Sequence, residues 1–176
     1  MTFSNVPVAI DDLPDFAEIQ YLELEPGYAR LVLAVTLVVE AFIFVAAMTV
    51  WFLAVGLEAG AAGVTNGMVI AVALFAVLML IAVYTFKSAR VIGYAVREHD
   101  LMRRSGIFFH KEVVQPLRRV QHVEVNRGPL DKRLGLASIS LFSAGSGKAT
   151  FTIPGLKLIT AVRLRRYVLQ SERRSS

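Results

Sequence analysis

The sequence predicts a helical hairpin embedded in a membrane, followed by a small α+β or mostly-β domain of antiparallel strands with one C-terminal helix. Three observations lead to this fold class. Two long apolar runs occupy the first half of the chain, at about residues 31–55 and 68–86. Short runs that alternate apolar and polar residues follow them, as is typical of half-buried strands. The last of these runs precedes a segment with helical spacing of its apolar residues.

The two apolar runs are predicted to be membrane-spanning helices. Each is close to the roughly 20 residues that an α-helix needs to cross a bilayer, and Glu40 is the one formal charge within them. They show no polar face, which favours lipid surroundings over a pair of buried helices in a soluble protein. The connection GLEAGAAGVTNG is short and contains no Lys or Arg. The two helices should therefore form a tight antiparallel hairpin.

Charge is distributed unevenly along the chain. Residues 1–30 carry six acidic residues and one base, whereas the chain from Lys87 onward carries eighteen Lys and Arg and six acidic residues. Arg30 precedes the first run, and Lys87, Arg90 and Arg97 follow the second. Because Lys and Arg near span ends mark the cytoplasmic side, both termini are predicted to be cytoplasmic in a multi-pass membrane protein.

Three domains are predicted: an acidic N-terminal segment (residues 1–30), the hairpin (31–87) and a cytoplasmic domain (88–172). Pro7 and Pro14 argue against one continuous helix in the acidic segment. Two alternatives remain for it. It is either a loosely ordered tail, or it docks its acidic and apolar side chains against the basic C-terminal domain, within the chain or in a partner.

The C-terminal domain is predicted to begin with a strand and to end with a helix. Its expected strands are residues 91–98, 101–105, 107–117, 119–127, 137–143 and 149–153, with a turn at Gly106. A single helical turn is expected at 129–134 and the final helix at about 157–170, directly after Pro154 and Gly155.

A family resemblance adds to this interpretation. The run LMRRSGIFFHKEVVQPLRRVQHVEVNRGPLDKRLGLASISLFSAG and the later IPGL resemble the bacterial pleckstrin-homology-like (PH-like) domain of YdbS-like membrane proteins. The matching positions are Gly106, Pro116, Arg119 to Gln121, Val123, Pro129, Leu130, Arg133 to Gly135, Ala144 and Gly145. The resemblance implies a PH-like sandwich of about seven strands with one end closed by the helix, in a bacterial plasma membrane. It implies no catalytic residue.

The remaining motifs do not indicate an enzyme. The sequence GSGK at 145–148 lacks the first Gly and the final Ser or Thr of a phosphate-binding loop, so it is interpreted as a hairpin turn. His122 and Glu124 could ligate a metal, but a hydrogen-bonded histidine is favoured because there is no cysteine and no neighbouring ligand in sequence. No catalytic, cofactor or metal residue is therefore predicted.

Basic residues are the functional signal in the domain. The candidate lipid or partner surface comprises Arg103, Arg104, Arg118, Arg119, Arg163 and Arg166. Near an anionic leaflet, each Lys or Arg contributes about 1 kcal/mol. The alternative is that these charges serve only topology and solubility. Nucleic-acid binding is not expected, since no aromatic residues interleave with the basic ones.

Glu40 is the candidate intramembrane interface. A carboxylate near the bilayer centre costs about 2.5–3.5 kcal/mol on insertion scales, so it should face protein. The second span should pass it near residues 79–83, with Tyr84 as a hydrogen-bond donor. Glu40 is then either a structural group bonded within the hairpin or the contact with another membrane subunit.

Two function classes follow. The first is a membrane-anchored module that binds a partner protein, such as another membrane or PH-like protein, together with anionic lipid headgroups. The second is an accessory subunit of a transport or envelope-defence complex in which the hairpin is the working part.

Overall fold

A computed structural model of the chain describes residues 19–53, 61–143 and 149–175. Two long helices lie between the first and second of seven described strands, and a helix ends the chain. The bounds are β1 Leu22–Glu23, α1 Pro26–Trp51, α2 Ala61–Val91, β2 Gly93–Val96, β3 Asp100–Ser105, β4 Lys111–Pro116, a 3₁₀ turn Leu117–Arg119, β5 Val120–Asn126, α3 Pro129–Leu134, β6 Leu136–Ser143, β7 Phe151–Lys157 and α4 Leu158–Ser175.

The helices α1 and α2 are apolar on every side and expose most of that surface. Val38, Phe42 and Leu80 are 70%, 76% and 71% exposed. Both helices are long and apolar enough to cross a membrane. A helix with this composition cannot be stabilised in water, because no face of it is polar. The predicted pair of apolar helices is confirmed.

The two helices pack antiparallel through a close contact at one end. The Trp51 indole lies against Gly67, where any Cβ would overlap the ring. The rings of Phe44 and Phe75 meet edge to face, with centroids 6.4 Å apart. A glycine at a helix contact lets the two backbones approach closely. The Trp51–Gly67 contact therefore fixes which residues of α2 lie opposite α1.

The domain is a sandwich of two antiparallel sheets, ordered β1-β2-β3-β4 and β5-β6-β7. Alternate residues of the strands point between the sheets, as the sequence pattern predicts. Leu101, Ile139, Leu141 and Ile153 are completely buried there. This arrangement confirms the predicted PH-like fold class.

The C-terminal helix closes one side of the sandwich. Ala161, Leu164 and Val168 recur at helical spacing and are buried against β5, β6 and the 3₁₀ turn. The Tyr167 hydroxyl donates to the carbonyl oxygen of Arg97 at 3.3 Å, which ties the helix to the turn between β2 and β3.

Several strand bounds differ from those predicted. The helix α2 continues through Val91, so β2 starts only at Gly93. Residues 107–110 form a turn, because Gly106 has φ +100° and its backbone lies close to the carbonyl group of Phe109. Pro154 and Gly155 lie within β7, where a register shift opposite β6 between Ala137 and Ile139 accommodates them. A β-bulge of this kind lets a strand bend and continue.

The helical hairpin is inserted between two neighbouring strands of one sheet. Leu22 pairs with Tyr94, and Glu23 pairs with Gly93. The strand that precedes α1 therefore lies beside the strand that follows α2. Of the two alternatives for the acidic segment, docking within the chain is what the structure shows for its last residues; residues 1–18 lie outside the described residues.

A second strand also holds the start of α1. The Glu25 amide donates to the Gly155 carbonyl at 3.2 Å, and Lys157 Nζ lies 3.2 Å from Glu25 Oε1. Gly155 has φ +62°, and a Cβ there would overlap Cβ and Cγ of Tyr28 in the first turn of α1. The junction therefore requires glycine for both its backbone conformation and its lack of a side chain.

We predict that Gly155→Ala destabilises the protein more than Gly135→Ala. Gly135 has a similar φ of +68° but no atom within 4 Å of its Cβ position. Gly135→Ala should lose about 1 kcal/mol from the left-handed backbone alone. Gly155→Ala should lose a further 1–3 kcal/mol, approximately, because Tyr28 is displaced. Thermal unfolding in mild detergent, followed by circular dichroism, measures both losses. Tyr28→Ala should relieve only part of the second loss, because the ring is removed but the Cβ of residue 28 remains. Equal losses for the two glycines would contradict the Tyr28 contact.

Candidate functional site

The domain has two ends that differ in their distance from the helices. We call the end where β2 leaves α2 the helix end. The turn between β3 and β4 (residues 106–110) lies at the helix end, because antiparallel strands reverse direction at each turn. The turn between β2 and β3 (residues 97–99) and the 3₁₀ turn lie at the opposite end, which we call the far end. The helix α4 starts beside Lys157 at the helix end and reaches the far end at Tyr167.

Arg103 and Arg104 have different environments although they are adjacent. Arg103 is half-buried, and its Nη1 donates to the Thr152 carbonyl oxygen at 2.6 Å, which joins the two sheets. Arg104 is exposed at the helix end, and its guanidinium carbon lies 5.0 Å from the centroid of the Tyr21 ring. Arg104 therefore offers its charge to a ligand, whereas Arg103 is engaged within the domain.

Two tyrosines beside this site have raised pKa values. Burial, and then the neighbouring Glu112 carboxylate, raise the pKa of the Tyr21 phenol. Burial, and then Glu25, raise the pKa of Tyr94. Both shifts move the pKa farther above neutral pH, at which a phenol with an ordinary pKa is already protonated.

The other predicted arginines lie on two elements that contact each other. Arg118 and Arg119 are exposed on the 3₁₀ turn, and Arg163 and Arg166 are exposed on α4, which packs against that turn. The structure thus separates the six predicted arginines into one embedded side chain, one at the helix end and four on the 3₁₀ turn and α4.

The surface of α4 that faces away from the sandwich is both apolar and basic. We call this surface the outer face of α4; its residues are Ile159, Val162, Arg163, Arg166, Leu169 and Gln170. All are exposed, and Ile159 is 60% exposed. A solvated helix face usually carries polar residues, so exposed apolar residues bordered by charge indicate an interaction surface.

His122 and the serines of β6 are engaged in hydrogen bonds. His122 Nε2 lies 3.2 Å from Glu124 Oε1, and Asn126 donates to the other oxygen of that carboxylate. Ser140 shares a hydrogen bond of 3.2 Å with the Thr152 hydroxyl. Among the described residues, no group of three His, Cys, Asp or Glu is close enough to hold a metal.

Glu40 is 7% exposed and lines an apolar groove between α1 and α2, with a volume of about 280 Å³. Its lining residues are Leu37, Glu40, Ala41, Phe44, Val45, Phe75, Leu78 and Met79. The residues of α2 in the groove lie at 75–79, about one turn earlier than the predicted 79–83, because the Trp51–Gly67 contact sets the register. Glu40 Oε1 has no hydrogen-bond partner among the described residues.

The turn predicted at Gly106 extends through His110, so Phe108 and Phe109 lie in the turn between β3 and β4 and not in the predicted strand 107–117. Phe108 and Phe109 are 77% and 90% exposed there. The Phe108 ring stacks on Tyr84 of α2, with centroids 6.2 Å apart and planes 8° apart. A signal for this turn exists in the sequence. Consecutive strand residues point to opposite faces, so two adjacent phenylalanines cannot both enter one core.

Comparisons with known proteins found a matching family model and individual proteins similar to the chain. The family model described as bacterial PH domain matches residues 15–172. The UPF0699 transmembrane protein YdbS of Bacillus subtilis is 40% identical over 76 residues, which are 43% of this chain. The chain spans 46% of the length of that curated relative. A DUF1696 family protein with a pleckstrin-homology domain from Shewanella loihica has 13% sequence identity and a TM-score of 0.36, over 46% of this chain and 70% of that one.

We predict that Arg103→Ala destabilises the domain more than Arg104→Ala, its matched control. The first change removes the charged hydrogen bond to Thr152 and should cost about 1.5–3 kcal/mol. The second removes one exposed cation–π contact and should cost about 0.5–1 kcal/mol. Thermal unfolding of both variants in mild detergent measures the difference. An Arg103→Ala variant as stable as Arg104→Ala would show that Arg103 is not needed to join the sheets.

Proposed function

The chain belongs to the bacterial PH domain family, and from this membership we propose that it is a non-enzymatic, membrane-anchored module that binds a partner protein. The observation that carries the proposal is the outer face of α4. Its apolar residues and its two arginines share one exposed surface, on the helix that closes the sandwich. A partner surface that combines apolar and acidic side chains would complement it.

The orientation of the chain supports a cytoplasmic partner. Arg30 lies near the start of α1, and Lys87 and Arg90 lie near the end of α2. The connection between the helices carries no Lys or Arg. By the positive-inside rule, both helices cross the plasma membrane and place the domain and both termini in the cytoplasm.

Distance favours a protein over lipid as the ligand of the far end. The strand β2 alone extends about 13 Å from the end of α2, at about 3.3 Å per residue. The Debye length at physiological ionic strength is about 8 Å. Arg118, Arg119 and Arg166 are therefore screened from the headgroups, and their charges are better placed to meet a protein.

A second candidate function is supported by Glu40. A buried carboxyl oxygen without a partner carries the desolvation cost of a polar group, which a hydrogen-bond donor would remove. The groove that contains Glu40 opens between two helices that expose large apolar residues elsewhere along their length. A transmembrane helix of another subunit could supply that donor, as in an accessory subunit of a membrane complex.

The first candidate predicts a protein contact at Val162. A photoreactive amino acid at position 162 of the full chain, irradiated in native membranes, should form an adduct with one protein. Arg163→Glu together with Arg166→Glu should reduce that adduct about tenfold, which corresponds to about 1.4 kcal/mol. The yield of the adduct is measured by quantitative mass spectrometry.

The matched control is Lys132→Glu together with Arg133→Glu. It makes the same change of charge on the exposed surface of α3. The adduct should persist in this control. Equal loss in both double variants, or an adduct with lipid alone, would contradict a protein-binding outer face.

The second candidate predicts different effects of two substitutions at Glu40. Glu40→Gln keeps the shape and a hydrogen-bonding group, so subunits that co-purify in mild detergent should remain associated. Glu40→Leu removes the polar group and should weaken that association, while the thermal stability of the isolated chain stays the same or rises, because no bond within the hairpin is lost. Unchanged association with Glu40→Leu would exclude this residue from an interface.

A further inference from the structure

The turn between β3 and β4 places the Phe108 side chain beside α2, at a residue before the C-terminal end of that helix. Phe108 stacks on Tyr84, which lies seven residues before Val91, the last residue of that helix. At 1.5 Å per residue, Tyr84 is about 10 Å inside the end of α2. The turn therefore does not extend into the solvent beyond the helix. It reaches the level of the apolar segment.

The basic residues of the same end lie nearer the domain than the phenylalanines do. Lys87 and Arg90 follow Tyr84 by three and six residues, or about 4.5 Å and 9 Å along the axis. The guanidinium of Arg90 lies 5.7 Å from the centroid of the Phe86 ring. Lys111 is exposed immediately after the turn. Aromatic rings thus lie on the apolar side of a layer of positive charges.

This order matches the layers of a bilayer surface. Tyr and Trp concentrate at the boundary between hydrocarbon and headgroups, and interfacial segments bury apolar residues such as Phe and Leu there. Lys and Arg extend towards the phosphates. In water, the two side chains would instead leave most of their apolar surface exposed, 77% for Phe108 and 90% for Phe109.

We propose that the turn at residues 106–110 is a membrane-binding site, in which Phe108 and Phe109 enter the interface of the bilayer that holds α1 and α2. Lys87, Arg90 and Lys111 then contact the phosphate groups of the phospholipids. The turn is a further attachment of the domain to the membrane, separate from the covalent connection through the helices. This inference depends on the proposed membrane crossing and is independent of partner binding through α4.

The geometry of the turn supports a defined insertion depth. Gly106 has φ +100°, and a Cβ at that position would overlap the backbone of Phe109. The turn is therefore tight, and the stacking of Phe108 on Tyr84 holds it beside the helix. Phe109, the more exposed of the two rings, is left free to contact lipid.

The absence of cysteine from the sequence allows a direct test. The full chain with Phe109→Cys is labelled with the environment-sensitive fluorophore NBD and reconstituted into vesicles of phosphatidylethanolamine and phosphatidylglycerol. We expect a blue-shifted emission, and at least a twofold quenching by lipids that carry a doxyl group near the headgroup.

Two matched labels serve as controls. His99→Cys places the label on an exposed residue in the turn at the far end, and its emission should be that of a water-exposed probe. Leu80→Cys places it on an exposed residue of α2, one turn deeper than Tyr84, where doxyl groups farther down the acyl chain should quench it more strongly.

The outcomes separate the two proposals. A water-like signal at position 109 together with quenching at position 80 would overturn the membrane-binding turn and leave the membrane crossing intact. A blue shift at position 109 without doxyl quenching would also overturn it, since the ring would then be covered by protein. No quenching at position 80 would overturn the membrane crossing and, with it, the inference.

Discussion

The pairing of β1 with β2 is the constraint on which the rest of the structure depends. These two strands hydrogen-bond side by side, and the whole helical hairpin is inserted between them. The contact of Tyr28 with Gly155 and the bond from Glu25 to the same glycine hold the entering helix to the other sheet. Both helices are thus attached to a folded β-sandwich within a few residues of their ends. The domain is oriented by its own backbone, without a flexible linker at either described connection.

On the functions that we propose, this orientation places two parts of the domain surface near different ligands. The helix end brings Arg104, Lys111 and the aromatic turn to the level of the helix ends. The far end, with Arg118 and Arg119, is separated from the helix ends by the length of the strands. Residues of the same charge therefore have different ligands within reach. Electrostatic attraction to headgroups acts over about a Debye length, so position along the strand, rather than net charge, separates lipid contact from protein contact.

Much of the fold could be predicted from the sequence because local patterns specify it. Uniform apolarity identified both helices, and alternation around Ile139 and Ile153 identified the core strands. The junction could not be predicted in this way. β1 is two residues long, too short for a periodic signal, and it exists only because β2 lies beside it. Pro154 and Gly155 suggested the end of a strand, but a bulge opposite β6 absorbs them. Among the predicted arginines, the sequence alone could not separate embedded Arg103 from exposed Arg104, since that depends on a contact with Thr152 across the sandwich.

Two departures from ordinary burial remain, and they are opposite in kind. Glu40 places a polar oxygen among apolar side chains, and the turn at Phe108 and Phe109 places apolar rings outside any core. The carboxyl oxygen without a partner is unfavourable in apolar surroundings. The exposed rings are unfavourable in water. On the functions that we propose, each becomes favourable with an occupant of the opposite character: a hydrogen-bond donor within the membrane for Glu40, and the bilayer interface for the rings. Because the two sites lie at different depths along the same hairpin, membrane insertion can satisfy the rings immediately, whereas Glu40 retains its cost until a further polar group arrives.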